Sequence, residues 1–223
     1  KGLLSPVERK NSWQLAEAAG EKDPYKIQYL LGRADWDPDA MRDDLIKYVM
    51  DHCHDNDAVL VVDETGFLTK GTHSAGVARQ YSGTAGRIEN SQIGVFAAYV
   101  TGGDHILIDR ELYLPKEWME DAKRRSSAGI PPERKFFSKP KLAKEMIERI
   151  ISSGLAFKWA AGDSVYGDDR GLRIWLEEKG KAYVFAVSGK EYIDAGFHQY
   201  RVSDVLASLP EEGWVRMSAG DGS

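Results

Sequence analysis

Apolar residues recur at helical spacing in the first quarter of the chain. Three short stretches, at 13–19, 25–31 and 41–50, each place apolar residues on one helical face. Gly20 ends the first stretch, and Pro24 and Pro38 stand where the next two would begin. Residues 1–56 are therefore predicted to be a helical N-terminal segment. Two interpretations stay open for it, a DNA-binding helical module and a helical flank that packs on a sheet.

From residue 57 the apolar positions form runs of strand length. The run 58–62 is continuously apolar, as in a buried strand, and the runs 93–100 and 106–114 are joined by a Gly-Gly turn that predicts an antiparallel hairpin. Two further strands, 155–161 and 182–187, each follow a helical stretch, 139–153 and 170–179. The order predicts an α/β fold over residues 57–190, with a mixed five-stranded sheet flanked by helices.

Two aspartates follow apolar strands directly. Asp63 comes after the first strand and Asp163 after the fourth, so each is expected at the carboxyl end of a strand, where open α/β sheets bind their ligands. If the two strands are neighbours, the carboxylates converge, and a divalent cation such as Mg²⁺ relieves their repulsion. The competing interpretation is that Asp63 only caps a loop and Asp163 only caps the next helix.

Composition excludes several classes of protein. The chain has 223 residues, one cysteine and no apolar run long enough to cross a membrane. These features predict a protein without disulfides, in a reducing compartment and not in a membrane. Its net charge of -5 argues weakly against a nucleic-acid partner, but basic residues concentrate in the segment 116–149. An acidic protein can still present a basic face to phosphates.

The sequences around both aspartates carry a family resemblance. VVDETGF at 61–67 and AGDSVYG at 161–167 resemble the first two acidic motifs of DDE-type bacterial insertion-sequence transposases, in the branch whose first motif reads Asp-x-Thr-Gly. Further similar stretches follow in the same order, so the resemblance covers essentially the whole chain. It implies an RNase H-like catalytic core and a DNA transposase that cleaves phosphodiesters and transfers strands with Mg²⁺ or Mn²⁺, held by Asp63 and Asp163 as catalytic metal ligands.

The resemblance carries further expectations about the whole protein. It implies double-stranded DNA as partner, both as transposon ends and as target, a homodimer at full length, and a cytoplasmic, nucleoid-associated location in a bacterium. It also calls for a third acidic residue, a Glu on a helix after the fifth strand, which no residue here matches. Residues 191–223, with a possible strand at 214–217, are interpreted as the truncated start of a β-rich insertion, and the third carboxylate is expected beyond Ser223.

Other residues are weaker candidates. Phosphate contacts are predicted for Arg79 and Arg87, placed in a loop between the first two strands, and for Lys139 and Lys141. Glu64 follows Asp63 directly, so in a strand it points to the opposite face. The remaining candidates are aromatic residues for stacking on displaced bases, with core packing the better interpretation for the last two: Trp118, Tyr166, Trp159 and Trp175.

Two rival functions remain. One is a truncated or domesticated transposase that binds DNA as a scaffold without catalysis. The other is an aspartyl-phosphate hydrolase, in which Asp63 attacks phosphorus and Asp168 belongs to the metal motif. The second is disfavoured because Thr65 stands where such phosphatases usually have an acidic residue, and because a hairpin interrupts the expected parallel βα units.

Overall fold

The computed structural model describes residues 6–9 and 11–215. The chain divides into two compact units, Lys1–Asp43 and Asp44–Ser223. The first unit contains α1 (Ser12–Ala18), α2 (Tyr25–Gly32) and the beginning of α3 (Pro38–His52). Helix α1 begins at Asn11, whose side chain accepts a hydrogen bond from the Gln14 amide, and it buries Leu15 and Ala16. Three helices occur where the pattern predicts them, and their DNA-binding role stays a prediction.

The second unit is built on one mixed sheet. Its strands are β1 (Val59–Leu68), β2 (Ala78–Ser82), β3 (Arg87–Val100), β4 (His105–Tyr113), β5 (Trp159–Gly162) and β6 (Ala182–Phe185). Strand β3 pairs antiparallel with β1, β2 and β4, whereas β5 pairs parallel with both β1 and β6. The predicted hairpin is confirmed as β3–β4, and the mixed α/β, RNase H-like architecture flanked by helices is confirmed with it.

The sheet has six strands where the pattern predicts five. The additional strand, β2, is short and alternates between buried and accessible residues, so it lacks the apolar run that marks the others. Strand β1 also continues past Asp63 to Leu68, because β3 supplies backbone partners as far as Ser91. Asp63 therefore lies inside a strand and not at its end, although the parallel pairing with β5 does stop at Val62.

Helices cover one face of the sheet. Between β4 and β5 lie α4 (Lys116–Glu120), α5 (Ala122–Ser127) and α6 (Lys139–Ser153), and between β5 and β6 lie α7 (Ser164–Gly167) and α8 (Arg170–Glu178). Helix α6 buries a stripe of apolar side chains against the sheet, and each such side chain contributes about 1.5–3 kcal/mol when fully buried. The stripe consists of Leu142, Ala143, Met146, Ile147 and Ile150.

Beyond β6 the chain forms a small separate sheet. Strands β7 (Tyr192–Ala195) and β8 (His198–Arg201) pair as a hairpin, followed by α9 (Val202–Ser208) and a 3-10 turn, Glu211–Gly213. Trp214 and Val215 are not in a strand, and the rest of the strand predicted at 214–217 lies outside the described residues. Across the described ranges, no helix is long and apolar enough to cross a membrane.

Candidate active site

Asp63 and Asp163 occupy equivalent positions in the chain: Asp63 follows Val62 within β1, and Asp163 is the first residue after β5. The last residues paired between β1 and β5 are Val62 and Gly162, and the two aspartates follow immediately. Parallel neighbours bring the next residues of both chains to the same edge of the pairing. The sheet thus brings together two carboxylates that are 100 positions apart in the sequence.

Asp163 also caps a helix. Its Oδ1 accepts a hydrogen bond of 2.9 Å from the Val165 amide, so it begins the single-turn helix α7. The capping role proposed as the competing interpretation is therefore present. The cap uses the Oδ1 atom of Asp163. The negative charge of Asp163 also raises the pKa of Asp63.

The electrostatics of Asp63 oppose its ionisation. Burial raises the pKa of the Asp63 carboxyl, and the negative charges of Glu64 and Asp163 raise it further. A hydrogen bond of 2.8 Å from the Glu64 amide and the positive charge of Lys139 lower that pKa, but they do not offset the increase. The site therefore concentrates negative charge where a cation would relieve it.

The donor set fits a hard divalent cation. Two aspartate carboxylates are what Mg²⁺ often takes from a protein, with water and phosphate oxygens supplying the other positions. Over the part of the chain that the structure describes, no group of three or more His, Cys, Asp or Glu side chains is arranged to hold a metal ion. The two aspartates would hold such an ion and leave its other positions open for substrate and further ligands.

Glu64 lies behind this pair, on the covered face of the sheet. Its Oε1 is 2.6 Å from Nζ of Lys139, the first residue of α6, and its Oε2 accepts a hydrogen bond of 2.8 Å from the Tyr166 hydroxyl. Tyr166 is fully buried, so the expectation that it stacks on bases is wrong. The sequence held one signal for its position: Tyr166 is three residues after Asp163, on one helical turn.

The other side of β1 is open. Alternate residues Val61, Asp63, Thr65 and Phe67 line a shallow depression. The remaining lining residues come from β3 and β4: Phe96, Ala98 and Leu107. Phe67 and Phe96 meet edge to face with ring centroids 6.1 Å apart, and Phe67 is 50% exposed. Asp63 is therefore accessible to a large ligand from this side.

The predicted phosphate-contacting residues are spread over the sheet and helix α6. Arg79 lies in β2 and Arg87 begins β3, so neither is in the predicted loop, because the segment between β1 and β3 pairs as a strand. Arg87 forms an exposed ion pair with Glu89, at 2.8 Å. Lys141 lines an open groove with Lys144, where α6 and α8 begin. Of the four cations, only Lys139 approaches the two aspartates, through Glu64.

The expectation for Trp118 also changes with the structure. Trp118 is fully buried, and its indole donates a hydrogen bond of 2.8 Å to the Val77 carbonyl, so it is not available for stacking. Asp109 is also buried on β4, where Arg149 of α6 binds both Asp109 and Glu111. This ion cluster belongs to the interior between sheet and helix.

Comparison with known proteins identifies the family. Residues 1–199 match the protein family described as DDE superfamily endonuclease. The chain is 26% identical over 194 residues to the "Probable transposase for insertion sequence element IS701" of Microchaete diplosiphon, a match covering 86% of this chain and 48% of the relative. The chain thus spans about half the length of that relative. No solved structure is significantly similar to this chain. The chain belongs to the DDE superfamily endonucleases.

Proposed function

We propose that this chain is the larger part of the catalytic domain of an insertion-sequence transposase, an enzyme that cleaves and rejoins double-stranded DNA. The observation that carries the proposal is that Asp63 in β1 and Asp163, the residue directly after β5, both follow the last paired residues of these parallel neighbours. Membership of the endonuclease family and similarity to a transposase support it. The reaction is hydrolysis of a phosphodiester at the element end, followed by attack of the 3′-hydroxyl on target DNA.

Asp63 and Asp163 act as ligands of Mg²⁺ or Mn²⁺. A bound divalent ion supplies activation of the attacking oxygen and stabilisation of the leaving oxygen. The protein residues do the rest: the two carboxylates fix the ion, and the open face of β1 leaves room for a DNA strand beside Asp63. Phosphodiester anions repel anionic nucleophiles, so this charge compensation is the main requirement of the chemistry.

Arg79, Arg87 and Lys141 are proposed to bind the DNA backbone. All three are exposed, and Lys141 shares its groove with Lys144. Lys139 is not proposed as a DNA contact, because its ammonium group is paired with the Glu64 carboxylate. The full-length protein is proposed to act as a homodimer on paired transposon ends.

The decisive experiment is a calorimetric titration of the chain with Mn²⁺. Wild type is expected to bind saturably, and Asp63→Asn and Asp163→Asn are each expected to abolish binding. Asp44→Asn, at an exposed position in α3, is the matched control and should bind as wild type does. Binding that survives in both active-site variants would exclude the proposed metal site.

The scaffold alternative makes a different prediction. A DNA-binding scaffold would bind duplex DNA with strong salt dependence and with the same affinity in Mn²⁺ and in chelator. The proposed enzyme instead requires that Mn²⁺ strengthens DNA binding in wild type and not in Asp63→Asn.

A further inference from the structure

The two aspartates depend on two different kinds of support. Asp63 is held within a ten-residue strand that is paired on both sides, to β3 along its length and to β5 up to Val62. Asp163 lies past the end of the four-residue strand β5 and begins a helix of only four residues. A helix of one turn has no stability of its own. The position of Asp163 relative to Asp63 therefore depends on what anchors α7.

Tyr166 provides that anchor. It is fully buried, its amide donates to the Asp163 carbonyl at 3.2 Å, and its hydroxyl donates to Glu64 on β1 at 2.8 Å. A tyrosine hydroxyl is protonated at neutral pH and a carboxylate only accepts, so Tyr166 is the donor in this bond. One hydrogen bond thus joins the helix capped by Asp163 to the residue next to Asp63.

Glu64 is held in place from a third element. Lys139 is at the start of α6, and its ammonium group is 2.6 Å from Oε1 of Glu64, the oxygen that Tyr166 does not bind. Both side chains are about one-fifth exposed. Helix α6 is fixed independently by its buried apolar stripe. The Glu64 carboxylate therefore has a set orientation before it receives the Tyr166 hydroxyl, and both of its oxygens are used.

We infer that Glu64, Tyr166 and Lys139 form a positioning network that fixes the separation of the Asp63 and Asp163 carboxylates from behind the sheet. None of the three touches the metal or the DNA. Their contribution is that α7 cannot rotate away from β1 while the Tyr166–Glu64 bond is intact. This inference rests on the proposed function, since it assigns a role toward the metal site of that function.

The test is the Mn²⁺ affinity of Tyr166→Phe, measured by calorimetry per folded molecule. Removing the hydroxyl keeps the ring buried but releases α7, and groups that orient metal ligands typically account for about 10- to 100-fold in affinity. The dissociation constant is therefore expected to rise by about 10-fold or more. Tyr99→Phe is the matched control, because Tyr99 is equally buried and its hydroxyl donates to the Ala156 carbonyl at 2.9 Å, away from the aspartates.

Lys139→Met separates positioning from simple electrostatics. Loss of a nearby positive charge should by itself strengthen binding of a cation. The network requires the opposite, a weaker affinity, because Glu64 loses its fixed orientation. Tighter binding by Lys139→Met would remove Lys139 from the network.

Hydrogen exchange in chelator tests the same inference without metal. In Tyr166→Phe the amides of 164–167, including the Val165 amide bound by Asp163, are expected to exchange faster than in wild type and in Tyr99→Phe. Unchanged exchange and unchanged Mn²⁺ affinity in Tyr166→Phe would overturn the positioning role. Absence of Mn²⁺ binding in wild type would instead refute the metal site of the proposed function, and the exchange result would still decide whether Tyr166 anchors α7.

Discussion

At the scale of single residues, the energetic cost of the site is concentrated at Asp63. Burial and two neighbouring carboxylates raise the pKa of this group above that of an ordinary aspartate. A carboxyl whose folded-state pKa is raised binds its proton more tightly in the folded than in the unfolded protein. Its ionisation therefore lowers the free energy of unfolding as pH rises through the folded-state pKa.

Asp63→Asn is accordingly expected to raise the melting temperature at neutral pH in chelator. Asparagine keeps the oxygen that accepts from the Glu64 amide but removes the unfavourable charge. The advantage over wild type should shrink as pH falls below the folded-state pKa, where Asp63 itself is protonated. Thermal melts across pH measure this, with Asp44→Asn as control. Adding Mn²⁺ should stabilise wild type and leave Asp63→Asn unchanged.

Asp109 shows the opposite balance, because its charge is compensated. Its side chain is fully buried, with Arg149 at 3.0 Å and Arg110 at 3.9 Å. Removing one partner of a buried ion pair leaves an uncompensated charge, which is more costly than the pair is worth. The cluster is thus important for stability.

Arg149→Met is expected to lower the free energy of unfolding by about 3 kcal/mol. Denaturant titration measures it. Lys158→Met, which breaks an exposed ion pair with Asp57, should leave the free energy of unfolding nearly unchanged. Adding Asp109→Asn to Arg149→Met should recover part of the loss. A double variant less stable than the single one would show that Arg110 still compensates the Asp109 charge in the absence of Arg149.

At the scale of elements, β1 is the part on which the site depends. It pairs with β3 over ten residues and presents Asp63 to the open face and Glu64 to the helices. Just beyond, Gly66 passes very close to β2: a Cβ there would lie 2.5 Å from the Ser82 hydroxyl oxygen and 3.2 Å from the Ser82 Cα. The close approach explains the glycine in the first motif without any role in catalysis.

Gly66→Ala is expected to destabilise the protein by about 1–3 kcal/mol, the usual cost of overpacking a filled interior. Gly83→Ala is the control, since a Cβ there would meet nothing within 4 Å. Ser82→Gly in the Gly66→Ala background removes the two shortest contacts and should restore part of the stability, measured by denaturant titration. No recovery would show that the Ser82 side chain is not the cause.

At the scale of the whole molecule, charge is unevenly distributed. The chain carries a net charge of -5, and the groove where α6 and α8 begin is lined by Lys141 and Lys144 together with Glu145 and Asp169. Each phosphate that a protein neutralises adds about 0.9 to the slope of log affinity against log salt concentration. The salt dependence of DNA binding therefore counts the cations that contact the backbone.

Lys141→Gln is expected to reduce this salt slope by about 1 on a duplex of arbitrary sequence. Lys139→Gln, two residues earlier on the same helix, should leave the slope unchanged because Glu64 holds the Lys139 ammonium group. Fluorescence anisotropy at several salt concentrations measures both. An equal reduction of the salt slope in both variants would show that Lys139 also contacts the DNA backbone.

Local pattern predicted most of the elements and both aspartates. Continuous apolar runs mark β1, β3 and β5, which are the inner strands of the sheet. The apolar stripe of α6 predicts a helix with the bounds Lys139–Ser153. Strand β2 was not predicted, since its residues are partly polar and its pairing comes from β3. The same holds for the polar half of β1 beyond Asp63.

The sequence by itself determined the periodicity, the faces of each element and the two acidic motifs, because these depend on residues close together in the chain. Only the tertiary structure decided which strands are neighbours, and with that the meeting of Asp63 and Asp163. It also decided that Glu64 receives Lys139 from 75 positions away and Tyr166 from 102. Such contacts arise when separate elements pack on one sheet, and no local pattern encodes that packing.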